Sequence, residues 1–417
     1  MLPGTNPTPR LQSDPRGVIT DILDLYARAK FADLPHFRVT QARLGLYRSE
    51  EHIDNPHGLE TSTFPGFDRK PTAQQVAIDP VHQRANYIAG RLNRPAKSAV
   101  EYMREELAAA VREGPTPEGR RRFGQALHVL EDFYAHSNFC ELALRSVGKT
   151  SVEPWTVSVT AGGRTFFPLV TGCFGGIDTA ASILLALGEI MEEDMNQPCA
   201  AGKRTLGVSI ALILLRDLRP HLGKQADALL GDFETLQRDH PIIANLMCNT
   251  VGKVMRFFHA LIGMAIRLLA NQIDEYQAFA QAASLNPTHS QLAKDHDDHP
   301  LHVLAADCAK VAVKDIGRLM KLAWDGPLPA DRTRQIQDKA ESYFVHPDFI
   351  VGPGSSPELL EIMSQVRSFA DNPANASAIV RASTRNVLDD HLRELQDYGN
   401  KVTKSIPIDR IKQMFGL

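Results

Sequence analysis

The stretch 127–139 places two histidines and an aspartate at helical spacing within a largely apolar run. His128, Asp132 and His136 follow one another at intervals of four residues. On a helix they form one strip, with ~6 Å of rise between neighbours. The positions around the strip are apolar, which is typical of a buried helix. Because buried imidazoles and carboxylates are costly unless they are paired, hydrogen-bonded or bound to a metal, the first hypothesis is metal binding.

Two further clusters of histidine and acidic residues lie far from this strip, at 50–57 and 288–302. A single buried His–Asp pair is more often a hydrogen-bonded feature of a core. Three separate clusters are what a metal site assembled from several segments requires. The five cysteines are dispersed without a paired spacing, so we expect reduced core thiols, and imidazole and carboxylate must supply the ligands.

Charge and hydropathy exclude several classes of protein. The formal net charge is −3 and no basic run is interleaved with aromatic residues, so nucleic acid is not expected as a partner. Residues 1–17 are polar and proline-rich, without the apolar core of a signal peptide. The apolar runs 206–215 and 254–270 are too short or too charged to span a bilayer. We expect synthesis in the cytoplasm, with any export through a signal-independent secretion system.

Helical periodicity recurs along most of the chain. Helices are predicted at 18–32, 80–113, 117–145, 178–195, 204–218, 225–238, 250–283, 301–324, 331–344, 357–368 and 374–397. Thr116-Pro117 and Ser356-Pro357 are signals for the start of a helix. Within 151–170, two β-rich runs flank a turn at Gly162-Gly163. The predicted fold class is all-α, a multi-helix domain with one small β-hairpin insertion.

The stretches 49–78 and 285–300 lack a sustained period and are predicted to be irregular. Each carries one of the two outlying histidine clusters, whereas the strip containing His128 lies on a predicted helix. A rigid helix that supplies the base of a site, with loops that complete it, is a common construction. We therefore expect the three clusters to meet.

Four blocks of the sequence resemble signature blocks of the Het-C family, which is named after a fungal heterokaryon-incompatibility protein and includes bacterial proteins, toxins among them. The blocks are 51–56, 127–144, 171–178 and 289–296. The resemblance extends over about residues 20–320 and indicates a bacterial-type copy. It implies a Het-C-like helical domain at 18–325, which contains the candidate metal ligands. We expect an extended or disordered segment at 1–17 and a C-terminal helical extension at 326–417, packed on the core.

The strip is also similar, more distantly, to a helix of the zinc-dependent phospholipase C and single-strand nuclease fold, whose all-α members bind several zinc ions. In that pattern the third ligand follows the aspartate by six residues, whereas His136 follows Asp132 by four. The second ligand helix of that fold has no clear counterpart here. The resemblance implies a zinc-dependent phosphodiester hydrolase, phospholipase C-like, that acts as a toxin or effector on a phospholipid headgroup with peripheral membrane contact.

The expected metal ligands come from all three clusters. They are His52, Asp54, His128, Asp132, His136, His289, Asp295 and His296. Asp54 is alternatively the general base, a role that ligand chemistry alone does not separate from metal binding. One or more zinc ions are the expected cofactor, because imidazole and carboxylate suit zinc. Calcium at the acidic stretch 295–298 is the alternative.

Two classes of function remain open on sequence grounds. The first is the metal-dependent hydrolase. The second is a non-enzymatic Het-C-type toxin or interaction protein whose metals only hold its loops in place. Closed four-ligand sites favour the second, and a site with an open coordination position favours the first. The sequence leaves the substrate and the oligomeric state undetermined.

Overall fold

The computed structural model describes a large part of the chain. The described residues are 48–57, 71–174, 285–295, 299–326, 331–350 and 352–383, with shorter stretches between 20 and 40 and between 209 and 239. The chain divides into two compact units, and every element named below belongs to the unit of residues 47–179 and 273–392. In the other unit, residues 20–25 are helical, within the predicted helix 18–32.

Several sequence predictions fall wholly or largely outside the described residues. They concern the segment 1–17, the helices at 178–195, 204–218, 225–238 and 250–283, the end of the last helix beyond 383, and His296.

In the unit of residues 47–179 and 273–392, the described residues form ten α-helices. They are α1 (Ala73–Val76), α2 (Asn86–Ala89), α3 (Ala99–Glu113), α4 (Pro117–His136), α5 (Phe139–Ser146), α6 (His289–Leu292), α7 (His302–Asp325), α8 (Arg332–Glu341), α9 (Pro357–Asp371) and α10 (Ala376–Ala382). Short 3-10 turns lie at Ser49–Glu51, Pro347–Phe349, Gly352–Gly354 and Pro373–Asn375. The predicted all-α class is confirmed.

Two antiparallel pairs of short strands accompany the helices: β1 (Ile78–Asp79) with β2 (Arg84–Ala85), and β3 (Val159–Ala161) with β4 (Arg164–Phe166). The second pair is the predicted hairpin, and both glycines of its turn, Gly162 and Gly163, have positive φ (60° and 74°). Glycine adopts that conformation without steric cost. The first pair was not expected, because strands of two residues leave no detectable alternation.

The predicted helix 80–113 is wrong before residue 99. The chain instead passes through β2, the short helix α2 and an irregular segment with a turn before α3 begins. The start of α3 is set by a capping box: the Ser98 hydroxyl accepts from the Glu101 N–H at 3.2 Å, and the Glu101 carboxylate accepts from the Ser98 N–H at 3.0 Å.

The predicted helix 117–145 is interrupted at Ser137 and Asn138. The Asn138 side chain donates to the carbonyls of Pro154 and Pro168, at 3.0 and 3.1 Å, and accepts from the Val170 N–H at 2.9 Å. These buried bonds hold the chain in a turn, and α5 starts in a new direction. The caps at Thr116 and Ser356 are confirmed, each accepting from a backbone N–H three residues later.

The core surrounds the second half of α4, which packs against α3 and α7. Phe133 lies at its centre, with ring centroids 4.8 Å from Phe344 and 5.3 Å from Phe139. Cys140, Cys173 and Cys308 are buried, and none of them forms a disulfide bond among the described residues. Among the described residues, no helix is both long and apolar enough to cross a membrane. Because α4 packs in this core, the core holds in place the helix that carries the polar strip.

Candidate metal centre

The polar strip of α4 runs from the surface of the protein into its interior. The side chain of His128 is 46% exposed, whereas those of Asp132 and His136 are buried. Oδ2 of Asp132 and both ring nitrogens of His136 are buried without a hydrogen-bond partner among the described residues. Their charged neighbours lie at 3.2–3.8 Å without forming hydrogen bonds. Because buried polar atoms without hydrogen bonds are costly, these residues fit a bound cation that would use their lone pairs.

The first group of candidate ligands consists of His52, His128 and Asp132. Nδ1 of His52 lies 2.9 Å from Nε2 of His128, and these nitrogens lie 3.7 and 3.2 Å from Oδ2 of Asp132. Ligands of a tetrahedral zinc ion, each about 2.0–2.2 Å from the metal, are spaced roughly 3.4 Å apart. The three atoms therefore form a triangle of the size that zinc requires.

The second group consists of Asp54, His136 and His289, whose ligand atoms all lie within 4.8 Å of one another. Nδ1 of His289 is 3.1 Å from Oδ1 of Asp54, and the rings of His136 and His289 meet edge to face at 4.4 Å. All three side chains are largely buried. This group is thus more enclosed than the first.

The two groups adjoin through α4. Nδ1 of His136 lies 3.8 Å from Oδ2 of Asp132, and its Nε2 lies 3.5 Å from Oδ2 of Asp295. Asp295 has a half-exposed side chain and stands at the edge of the second group. Of the predicted ligands, six fall into the two groups, Asp295 lies beside them, and His296 is outside the described residues.

The electrostatics of the three histidines near α4 differ. Burial lowers the pKa of His136, but the carboxylates of Asp132, Asp295 and Asp54 outweigh burial and raise it to about 9. Burial also lowers the pKa of His52, and Asp132 and Asp54 raise it overall. For His128, partial burial dominates and its pKa falls. The carboxylates thus give the interior a negative potential, which favours a cation.

A strained backbone position separates the two ligands of the 50–57 cluster. Ile53 has φ of 56°, a conformation that is an outlier for a β-branched residue. Its carbonyl accepts from the Thr171 hydroxyl at 2.6 Å, and the next N–H, of Asp54, donates to the carbonyl of Ser49 at 2.9 Å. The resulting turn directs His52 to the first group and Asp54 to the second.

The segment Thr171–Cys173, which sequence reasoning did not assign to the site, joins all three ligand-bearing segments. The Gly172 carbonyl accepts from the Asn55 N–H at 2.8 Å, and its N–H donates to the carbonyl of His136 at 3.2 Å. The Cys173 carbonyl accepts from the N–H of His289 at 2.9 Å. A Cβ on Gly172 would lie 2.5 Å from Cα of His289. The one available signal was the resemblance block that contains these residues.

Comparison with known proteins identifies one family. The family model of the heterokaryon incompatibility protein Het-C matches residues 19–200. No curated protein and no solved structure matches the chain. The resemblance to Het-C is therefore confirmed over this range, which includes His52, Asp54 and the α4 strip. The block at 289–296 lies beyond the match, and the more distant similarity to zinc-dependent phospholipase C is not shown.

Proposed function

Because the chain carries a Het-C match that contains the α4 strip, and because that strip meets His52, Asp54 and His289, we propose that this protein is a zinc-dependent phosphodiester hydrolase. The observation that carries the proposal is the triangle formed by His52, His128 and Asp132, with side distances of 2.9, 3.7 and 3.2 Å and an exposed edge. Three protein ligands and one open side are typical of a catalytic zinc site.

Each of the two groups would hold one ion, His52, His128 and Asp132 the first and Asp54, His136 and His289 the second. Four of the six ligands are imidazoles, which favours zinc over calcium, since calcium takes oxygen ligands. Bound zinc supplies Lewis-acid chemistry, acidifying water and stabilising negative charge on a phosphoryl oxygen.

The protein side chains divide the work by exposure. His128 and His52 lie at the open side, where a phosphodiester can approach, and their side chains are 46% and 36% exposed. Asp54 and His289 form the closed side and keep water away from the second group. The Asp54 carboxylate is buried against His289, which supports the role of ligand over that of general base. Asp54→Asn should then lower metal content and hydrolysis together.

The substrate class within the proposal is a phospholipid headgroup, reached by peripheral contact with a membrane surface. This choice follows the sequence expectation for the α4 strip, and it suits the exposed position of His128 and His52, where a headgroup can approach. Cleavage of a membrane phospholipid would suit a toxin or effector. Competing water-soluble phosphodiesters are tested in the same experiment.

The second candidate is a non-enzymatic Het-C-type toxin or interaction protein. The observation that favours it is the burial of Asp54, His136 and His289, which together could hold an ion with no access for substrate. An ion there would fasten the turn at 52–54 and α6 to the end of α4. Both candidates share the second group and differ in the use of the first.

The test combines metal analysis with hydrolysis. Purified protein loaded with zinc is assayed on bis(p-nitrophenyl) phosphate, p-nitrophenyl phosphocholine and phosphatidylcholine vesicles, with and without a chelator. We expect cleavage that depends on zinc. His128→Ala should lower its rate by at least ~100-fold, because losing a residue that only hydrogen-bonds to a metal ligand can already cost that much, and His128 is itself a proposed ligand. His82→Ala is the matched control, because His82 is an exposed histidine that pairs with Asp79 and belongs to neither group.

Protein that holds zinc in both groups and leaves every one of these phosphodiesters intact overturns the hydrolase. That result supports the non-enzymatic candidate.

A further inference from the structure

Lys294, which directly precedes Asp295, is the most deeply buried charged side chain near the metal centre. Its side chain has no exposed surface, and its ammonium lies 3.0 Å from Oε1 of Glu141, whose side chain is 1% exposed. Lysine and glutamate are almost never fully buried unless they are paired. Burying both charges is expensive even as a pair, so such a pair is weak evidence for stability and calls for another explanation.

The Lys294 ammonium also binds the ends of two helices. It donates to the carbonyl of Ser137, the residue that follows α4, at 2.8 Å, and to the carbonyl of Leu292, the last residue of α6, at 2.7 Å. Carbonyls at helix C-termini lack partners within their helix and carry partial negative charge. Because Glu141 lies on α5, one ammonium connects α4, α5 and α6.

The backbone of Lys294 is fixed on both sides. Its N–H donates to the carbonyl of Ala135 at 3.0 Å, and its carbonyl accepts from Nδ1 of His302 at 2.7 Å. Ala135 is the neighbour of His136 in α4. The loop is therefore held along the last turn of the helix, and the next residue, Asp295, comes to 3.5 Å from Nε2 of His136.

We propose that Lys294, with Glu141, is a positioning residue that sets the Asp295 carboxylate against the His136 ring. A carboxylate on the free nitrogen of a metal-binding histidine fixes the orientation of the ring and raises its basicity as a ligand. The ammonium of Lys294 binds Glu141 and two backbone carbonyls, so the lysine acts on the centre through Asp295. The inference rests on metal binding at the second group, and not on the hydrolysis that the proposed function adds.

The test is a double-mutant cycle on zinc affinity, measured by competition with a chromogenic chelator, with cobalt absorption as a report on ligand geometry. We expect Asp295→Asn and Lys294→Met each to weaken zinc binding by ~10-fold or more. We expect Lys294→Met to add little in the Asp295→Asn background, because the lysine acts through the aspartate. The control is Lys310→Met, which removes an exposed lysine paired with Asp307.

A second variant separates positioning from folding. Lys294→Met with Glu141→Leu replaces the buried pair by apolar side chains, a change that is often neutral or stabilising. Because it also leaves the carbonyls of Ser137 and Leu292 without the ammonium, we expect a lower thermal unfolding midpoint for a metal-free protein that is still folded at the assay temperature. This folded variant should bind zinc ~10-fold more weakly, with an altered cobalt spectrum.

Two results would overturn the positioning role of Lys294. One is that the losses of zinc affinity from Lys294→Met and Asp295→Asn add up in the double mutant. The other is that the variant with Lys294→Met and Glu141→Leu binds zinc as tightly as the wild type. If the wild-type protein binds zinc but hydrolyses no phosphodiester, the proposed function is wrong. The double-mutant cycle on zinc affinity would still test the role of Lys294.

Discussion

At the scale of single residues, the geometry of the candidate metal centre depends on a position that has no side chain. Gly172 passes so close to α6 that its missing Cβ would stand 2.5 Å from Cα of His289 and 2.8 Å from its backbone nitrogen. Real Cβ atoms do not approach backbone so closely, so any other residue must move α6. Because His289 belongs to the second group, the distances between the ligands of that group depend on residue 172 having no Cβ.

We predict that Gly172→Ala lowers zinc affinity by at least ~10-fold, as loss of an oriented ligand does, and destabilises the protein by about 1–3 kcal/mol through overpacking. Isothermal titration with zinc and chemical denaturation measure the two effects.

Gly124→Ala is the matched control, because Gly124 lies in α4 with nothing within 4 Å of its added Cβ. It should raise stability by about 0.5–1 kcal/mol, the usual gain for alanine over glycine within a helix, and leave zinc affinity unchanged. Equal zinc affinity in the two variants would mean that the close approach to His289 has no bearing on the centre.

At the scale of elements, the hairpin is fastened to the C-terminal region through a buried histidine. Nε2 of His346 donates to the carbonyl of Phe167, just after β4, at 3.0 Å, and Nδ1 accepts from the Asp348 N–H at 3.2 Å, at the start of the turn Pro347–Phe349. One nitrogen donates and the other accepts, so this joint requires the neutral imidazole. Burial accordingly lowers the pKa of His346.

The sign of the pH effect follows from this lowered pKa. In the unfolded chain His346 takes up a proton near pH ~6.5, whereas the folded protein resists protonation. The stability that this joint contributes is therefore present above pH ~6.5 and is lost as the pH falls toward the folded pKa.

We predict that His346→Gln, whose side chain does not titrate, costs about 1 kcal/mol at pH 7.5 and progressively less as the pH is lowered to 5, since the wild type loses its own advantage there. Urea denaturation at several pH values measures the difference. A gap between the two proteins that widens toward acid would contradict the assignment of the neutral ring.

At the scale of the whole molecule, local sequence signals predicted helices and candidate ligands. They did not predict which of these ligands lie together. The α4 strip follows from spacing alone, and the β3–β4 hairpin from its two glycines. The break after His136 escaped prediction because the partners of Asn138 lie 16 to 32 residues away in the chain. The pairing of His52 with His128 depends on the left-handed backbone at Ile53, which no side-chain pattern encodes.

Because the ligands come from segments as far apart in sequence as His52 and His289, metal binding should stabilise the entire unit that contains them. Free zinc at 100 times its dissociation constant should add about 2.7 kcal/mol of stability per site. Thermal unfolding with and without zinc measures this gain. His128→Ala combined with Asp132→Ala should remove the gain of the first site, and a variant that keeps the full gain would exclude these residues as ligands.

The turn at Ile53 links the two groups mechanically. His52 and Asp54 are separated by one residue, yet they belong to different groups, so neither can be displaced without carrying the other along. An ion bound in one group orders this turn, so the entropy of ordering the turn is already lost when a second ion binds in the other group. Loading of the two groups should consequently be cooperative, and the centre is expected to behave as all-or-none rather than as two independent sites.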